Sequence, residues 1–119
     1  MSSTRRQLQK TFAAQDMGAD WISPITDVRN YDDIGYLAVW TSAHSPTGTI
    51  AVQGSMDYDP QVSTSVGTWV DIININLTTG SPQIFDIIGT SFPFVRFQFS
   101  HSGGGSGDNL TVTVTGKGV

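Results

Sequence analysis

Residues 94–116 read FVRFQFSHSGGGSGDNLTVTVTG, and the way this stretch divides decides the fold. Val95, Phe97 and Phe99 alternate with Phe94, Arg96, Gln98 and Ser100, and Leu110, Val112 and Val114 alternate with Thr111, Thr113 and Thr115. A period of two places each apolar set on one face of a half-buried strand. Between the strands lies SHSGGGSGDN, with glycine at 103, 104, 105 and 107. A glycine-rich loop that cradles phosphate needs a strand before it, a helix after it, and Lys followed by Ser or Thr. Here a threonine-alternating strand follows, and Lys117 precedes a glycine. The loop is therefore read as a hairpin connection whose tip tolerates variation, and a nucleotide site is set aside.

The same texture extends backwards to Trp21. Short runs of β-branched and aromatic residues give about seven strands, the pattern of a sandwich or barrel. They fall at Trp21–Val28, Ile34–Thr41, Thr49–Ser55, Thr68–Ile73, Gln83–Ile88, Phe94–His101 and Leu110–Gly116. The segments between them, RNYDD, SAHSPTG, MDYDPQVSTSVG, NINLTTGSP and GTSFP, carry the Gly, Pro, Asn and Asp residues that turns require. The expected fold is all-β: an antiparallel β-sandwich, jelly-roll-like, over residues 20–119. Residues 1–19 lack period-two alternation and are read as an N-terminal arm, either extended or a short helix over Arg5–Ala14 capped by Ser3 or Thr4. The arm holds three of the six basic residues, Arg5, Arg6 and Lys10, with Leu8 and Phe12 as apolar anchors.

With 119 residues the chain suits one domain. Charged residues make up 13%, about half the usual share, and all ten acidic residues are Asp. A net charge of −4 does not fit nucleic acid as the main partner, because duplex affinity depends on cations neutralising phosphates. Cysteine is absent, so packing is expected to supply the stability. No apolar run has the length of a signal peptide or a membrane span, so the protein is expected to be made in the cytoplasm without a membrane partner.

Four features could carry chemistry. Asp27, Asp32 and Asp33 follow the first strand and Asp57 and Asp59 the third, so two oxygen-rich loops could meet and hold Ca²⁺. Their spacing matches no EF-hand, and Asx-turn chemistry explains them as well. His44 and His101 sit in or beside loops with no paired spacing for zinc, and no serine lies in a GxSxG elbow, so no enzyme, catalytic residue or cofactor is expected. Trp40 and Trp69 are read as core residues bridging two sheets. Tyr31 and Tyr58 remain as loop aromatics that could contact a sugar ring. The arm, basic in an acidic protein, is suited to reach another surface through Arg5, Arg6, Leu8, Lys10 and Phe12.

The segments ITDVRNYDDIGYLAVWTS, GTIAVQGSMDYDP, GTWVDI and SFPFVRFQFSHSGGGSGDNLTVTVTGKGV, in this order, resemble a type of small virion structural protein of tailed bacteriophages. The likeness lies in a Trp-containing strand, a VxGSxDY segment, a GTW strand start, a PFxxxRxxF strand and a terminal TGKG, and it covers about residues 20–119. It implies a β-sandwich that decorates or cements the capsid lattice, with the major capsid protein or other virion proteins as partner and the virion as its location. A homo-oligomer is expected, a trimer at quasi-threefold positions. The alternatives are a tail, baseplate or portal-proximal module, and a carbohydrate-binding adhesion domain on the virion.

Overall fold

The computed structural model describes residues 7–88 and 91–118. Among the described residues nine strands run in chain order: β1 (Gln7–Asp16), β2 (Trp21–Ile22), β3 (Thr26–Asp27), β4 (Asp33–Trp40), β5 (Thr47–Ser55), β6 (Val70–Asn76), β7 (Gln83–Ile88), β8 (Phe94–Gly103) and β9 (Asn109–Lys117). They form two antiparallel sheets, the first in the order β1-β9-β4-β7 and the second in the order β2-β8-β5-β6, with β3 also paired to β8. The expected β-sandwich is the observed fold.

Alternation sorts the side chains as the sequence predicts. Ile34, Tyr36, Ala38 and Trp40 of β4 are buried, as are Val95, Phe97 and Phe99 of β8 and Leu110, Val112 and Val114 of β9. Phe97 ties the sheets together. Its ring lies 5.8 Å from that of Tyr36 and 5.9 Å from that of Phe85, both in the first sheet, and 6.4 Å from that of Trp21 in the second.

Three expectations change. Within the presumed arm, Gln7–Asp16 forms an edge strand of the first sheet, in register with β9 from Gln7↔Lys117 to Asp16↔Asn109. No helix forms there. The register slips between Phe12 and Gln15, so the bulge at Ala13–Ala14 breaks the alternation that marks a strand, and Lys10 occupies the row of Leu8 and Phe12. A bulge and an inward-row lysine are common at sheet edges, where they discourage pairing with another chain.

The stretch Trp21–Val28 is two short strands rather than one. Pro24 has no N–H to give the ladder, and Ser23 bridges the gap: its N–H donates to the Phe97 carbonyl at 2.8 Å and its Oγ accepts from the Phe97 N–H at 2.8 Å. Finally, the glycine loop is not a hairpin. β8 belongs to the second sheet and β9 to the first, so Gly104–Asp108 carries the chain from one sheet to the other.

Candidate interaction surfaces

The residues assigned to the arm separate. Arg5 and Arg6 lie outside the described residues. Leu8 and Phe12 pack against the domain's own core, Phe12 meeting Trp21 edge-on at 6.2 Å, while Lys10 is exposed. The two apolar anchors therefore dock within the chain. Tyr31 packs on the core and covers Gly116, where a Cβ would come within 3.0 Å of its ring. Tyr58 lies edge-on to Phe94 at 5.1 Å and 6.0 Å from Trp69. Neither tyrosine stands free on a loop.

The loop at 103–108 is an ordered arch. Gly104, Gly105 and Gly107 have φ of 61°, 83° and 91°, the left-handed region that disfavours a side chain. Gly105 is buried, and a Cβ there would stand 2.5 Å from the Met17 carbonyl oxygen. The arch is tied down by Asp108, 1% exposed. Its carboxylate accepts from the Thr41 hydroxyl at 2.8 Å and the His44 N–H at 2.9 Å, with the His44 ring 3.4 Å away. The Gly107 N–H donates to Asp16 at 2.7 Å, and His101 Nε2 lies 2.9 Å from the Gly104 carbonyl. The loop expected to tolerate change is thus a structural joint, and both histidines contribute to it. Gly105→Ala is expected to cost at least about 2 kcal/mol, since the left-handed conformation alone costs about 1–2. Urea unfolding checks this, and a wild-type midpoint would refute the arch.

The acidic side chains are mostly engaged. Asp27 pairs with Arg29 at 2.5 Å, Asp57 accepts from the Thr68 N–H at 2.6 Å and the Ser55 hydroxyl at 3.0 Å, and Asp59 accepts from the Gln61 N–H at 2.9 Å. These bonds start turns, and among the described residues no group of three or more His, Asp or Glu could hold a metal ion. At Asp108 burial acts to raise the pKa, but the hydrogen bonds from His44 and Thr41 outweigh it and hold the carboxyl below its ordinary value. The Arg29 hydrogen bond does the same for Asp27, the Thr68 N–H for Asp57, and the Gln53 amide for Asp71.

A folded-state pKa below the unfolded value of about 3.9 adds stability that is complete above that value and disappears as pH falls through the folded pKa. The urea midpoint should therefore drop below about pH 4. Asp108→Asn should lower the midpoint near neutrality, and its gap to the wild type should narrow as the protein is acidified. An unchanged gap at all pH values would show that the Asp108 charge contributes nothing.

The outer face of the first sheet exposes apolar side chains. Leu37 of β4 and Ile84 of β7 are cross-strand partners, and Leu37, Val39 and Ile84 are 37%, 44% and 74% exposed. Beside them, Gly35 leaves a depression of about 340 Å³ edged by Ile84, Thr115 and Lys117. Thr11 and Thr113 continue the face, their hydroxyls 3.0 Å apart. Sequence reading passed over this patch because Leu37 and Val39 flank the buried Ala38 in an almost wholly apolar run.

The outer face of the second sheet is polar. Arg96 Nε donates to Gln53 Oε1 at 2.8 Å, and Gln53 Nε2 donates to Asp71 at 2.8 Å and to Gln98 Oε1 at 2.7 Å. Asn74 Nδ2 donates to Asp71 at 3.0 Å. Trp69 belongs to this face and not to the core: its ring lies 4.3 Å from the Arg96 guanidinium carbon, and its indole N–H donates to the Val66 carbonyl. Polar residues alternating with core residues along β8 were the available signal, but their joining into a network was not visible from one strand.

Among the described residues no helix is long and apolar enough to cross a membrane. No protein-family model and no curated protein sequence matches the chain. Among solved structures it is similar to the SPBc2 prophage-derived protein YomS, with a TM-score of 0.57 over 97% of each chain at 10% sequence identity. A nora virus structure aligns over 98% of this chain and 60% of that one at 11% identity, with a TM-score of 0.30, and adds nothing to the description of the fold.

Proposed function

We propose that this protein is a structural component of a tailed-phage virion, a decoration or cement subunit that docks on the capsid lattice through the outer face of its first sheet. The observation that carries this reading is the exposed Leu37, Val39 and Ile84 beside the Gly35 depression. A domain with a complete core gains nothing in folding from three large apolar side chains placed together in water, whereas a partner surface does. Two further points support it. The strand orders β1-β9-β4-β7 and β2-β8-β5-β6, with β2 and β3 counted as one broken strand, give eight strands in two sheets and support the jelly-roll reading. The prophage-derived protein with a similar fold matches over nearly its whole length.

The mechanism is mechanical. A rigid sandwich bridges neighbouring lattice subunits, and repetition around the shell turns modest contacts into firm attachment. Threefold clustering would match quasi-threefold lattice positions. Adding purified protein to particles that lack it tests the reading. Hundreds of bound copies per particle are expected, and Leu37→Ser with Ile84→Ser should abolish binding while leaving the fold intact. A dozen copies or fewer would place the protein at the tail, baseplate or portal instead, and full occupancy by the double variant would exclude this face.

A further inference from the structure

The outer face of the second sheet is built in rows. Cross-strand partners share a face, so the register places Ile22, Gln98, Ala51 and Asn74 in one row across β2, β8, β5 and β6. A row of Arg96, Gln53 and Asp71 lies on one side and a row of Ser100, Thr49 and Asn76 on the other. Apart from Arg96 and Asp71, which are engaged in the network, the rows are neutral and carry amides and hydroxyls.

Arg96 sets the direction of the whole network. A guanidinium only donates, so Gln53 must turn its carbonyl towards Arg96 and its NH₂ towards Asp71 and Gln98. The amide of Gln98 must then present its carbonyl inwards, which leaves its own NH₂ directed outwards. Asp71 only accepts, so Asn74 spends its NH₂ on Asp71 and presents its carbonyl outwards. Gln53, 8% exposed, is locked at the centre, and Trp69 stacked on Arg96 holds the origin of the chain in place. The outcome is an oriented donor on Gln98 and an oriented acceptor on Asn74. They stand on strands about 10 Å apart, two strand spacings, with the small side chain of Ala51 between them and the 46% exposed Ile22 at one end.

We infer that this face is a shallow binding site for a neutral glycan. A sugar hydroxyl both donates and accepts, so hydroxyls on two linked pyranose rings can satisfy a fixed donor and a fixed acceptor set two strand spacings apart. The C–H face of a ring suits the exposed side chain of Ile22, while Ala51, itself buried, keeps the middle of the row low. A charged ligand is disfavoured, because the Arg96 and Asp71 charges are already spent within the network. The site lies on the sheet opposite the proposed lattice-docking face, so both could be used at once, and the inference does not depend on that docking.

The test is an array of neutral hexose and N-acetylhexosamine oligosaccharides alongside sialylated and uronic acid ones, followed by titration of array hits monitored by NMR. Binding to neutral members is expected, with shifts in the Gln98 and Asn74 side-chain amide signals. Gln98→Glu keeps the acceptor that Gln53 needs but removes the outward donor, and should weaken binding about tenfold or more, the loss of one well-placed hydrogen bond. Ile84→Ser on the opposite sheet should bind as the wild type does. Absence of neutral binding, binding confined to acidic glycans, or unchanged affinity in Gln98→Glu with its unfolding midpoint preserved would each overturn the assignment.

Discussion

Phe97→Ala is expected to destabilise the protein by about 3 to 5 kcal/mol, the usual cost of deleting a buried aromatic side chain. With the urea dependence of a small domain, that lowers the midpoint by roughly 2 M. The effect is large because Phe97 is fully buried and meets Tyr36 and Phe85 across the sandwich as well as Trp21 on its own side. Removing it opens a cavity that neither sheet can close without moving as a body. Phe97→Leu should recover much of the loss. A wild-type midpoint for Phe97→Ala would mean that the two sheets are not packed through this residue.

Removal of residues 1–16 should do more, and abolish cooperative unfolding. Were those residues an arm, the remaining domain would keep its stability. Within that segment β1, Gln7–Asp16, supplies the strand beside β9, two apolar side chains on the core and the Asp16 carboxylate that holds Gly107. Without them β9 becomes an open edge of nine residues, Asn109–Lys117, with its apolar face uncovered. Replacing Arg5, Arg6 and Lys10 with Ser isolates charge from structure. That variant should fold normally, and its binding to particles should depend less on salt than that of the wild type if the basic cluster meets an acidic surface. A truncated protein that melts like the full chain would restore the reading of an independent arm.

Much of the fold can be read locally. Six of the expected strands appear with boundaries shifted by at most a few residues, because Ile34–Thr41 or Leu110–Gly116 each carry their own alternation. β1 escaped because its alternation is interrupted: Lys10 stands in the core-facing row and Ala13–Ala14 bulges. Trp69 was misplaced for a related reason. It opens a run ending in the apolar residues Ile72 and Ile73, yet its ring is drawn onto the outer face by Arg96. The candidate surfaces were less legible than the core. Leu37 and Ile84, or Gln53 and Gln98, are unremarkable within their own strands and acquire meaning only through their cross-strand neighbours.

The sequence by itself determined the all-β class, the positions of most strands, which residues of each strand face the core, and the misfit of the glycine loop with a phosphate site. Period-two alternation is a property of one strand's backbone, so it is written within eight or ten consecutive residues. Only the tertiary structure decided that Gln7 pairs with Lys117, that the glycine loop joins the two sheets through the buried Asp108, that one outer face carries an exposed apolar patch, and that the other carries amides oriented from Arg96. These depend on which strands become neighbours. Pairing is settled by contacts between residues far apart in the chain, whose worth is realised only once both sheets have closed on a common core.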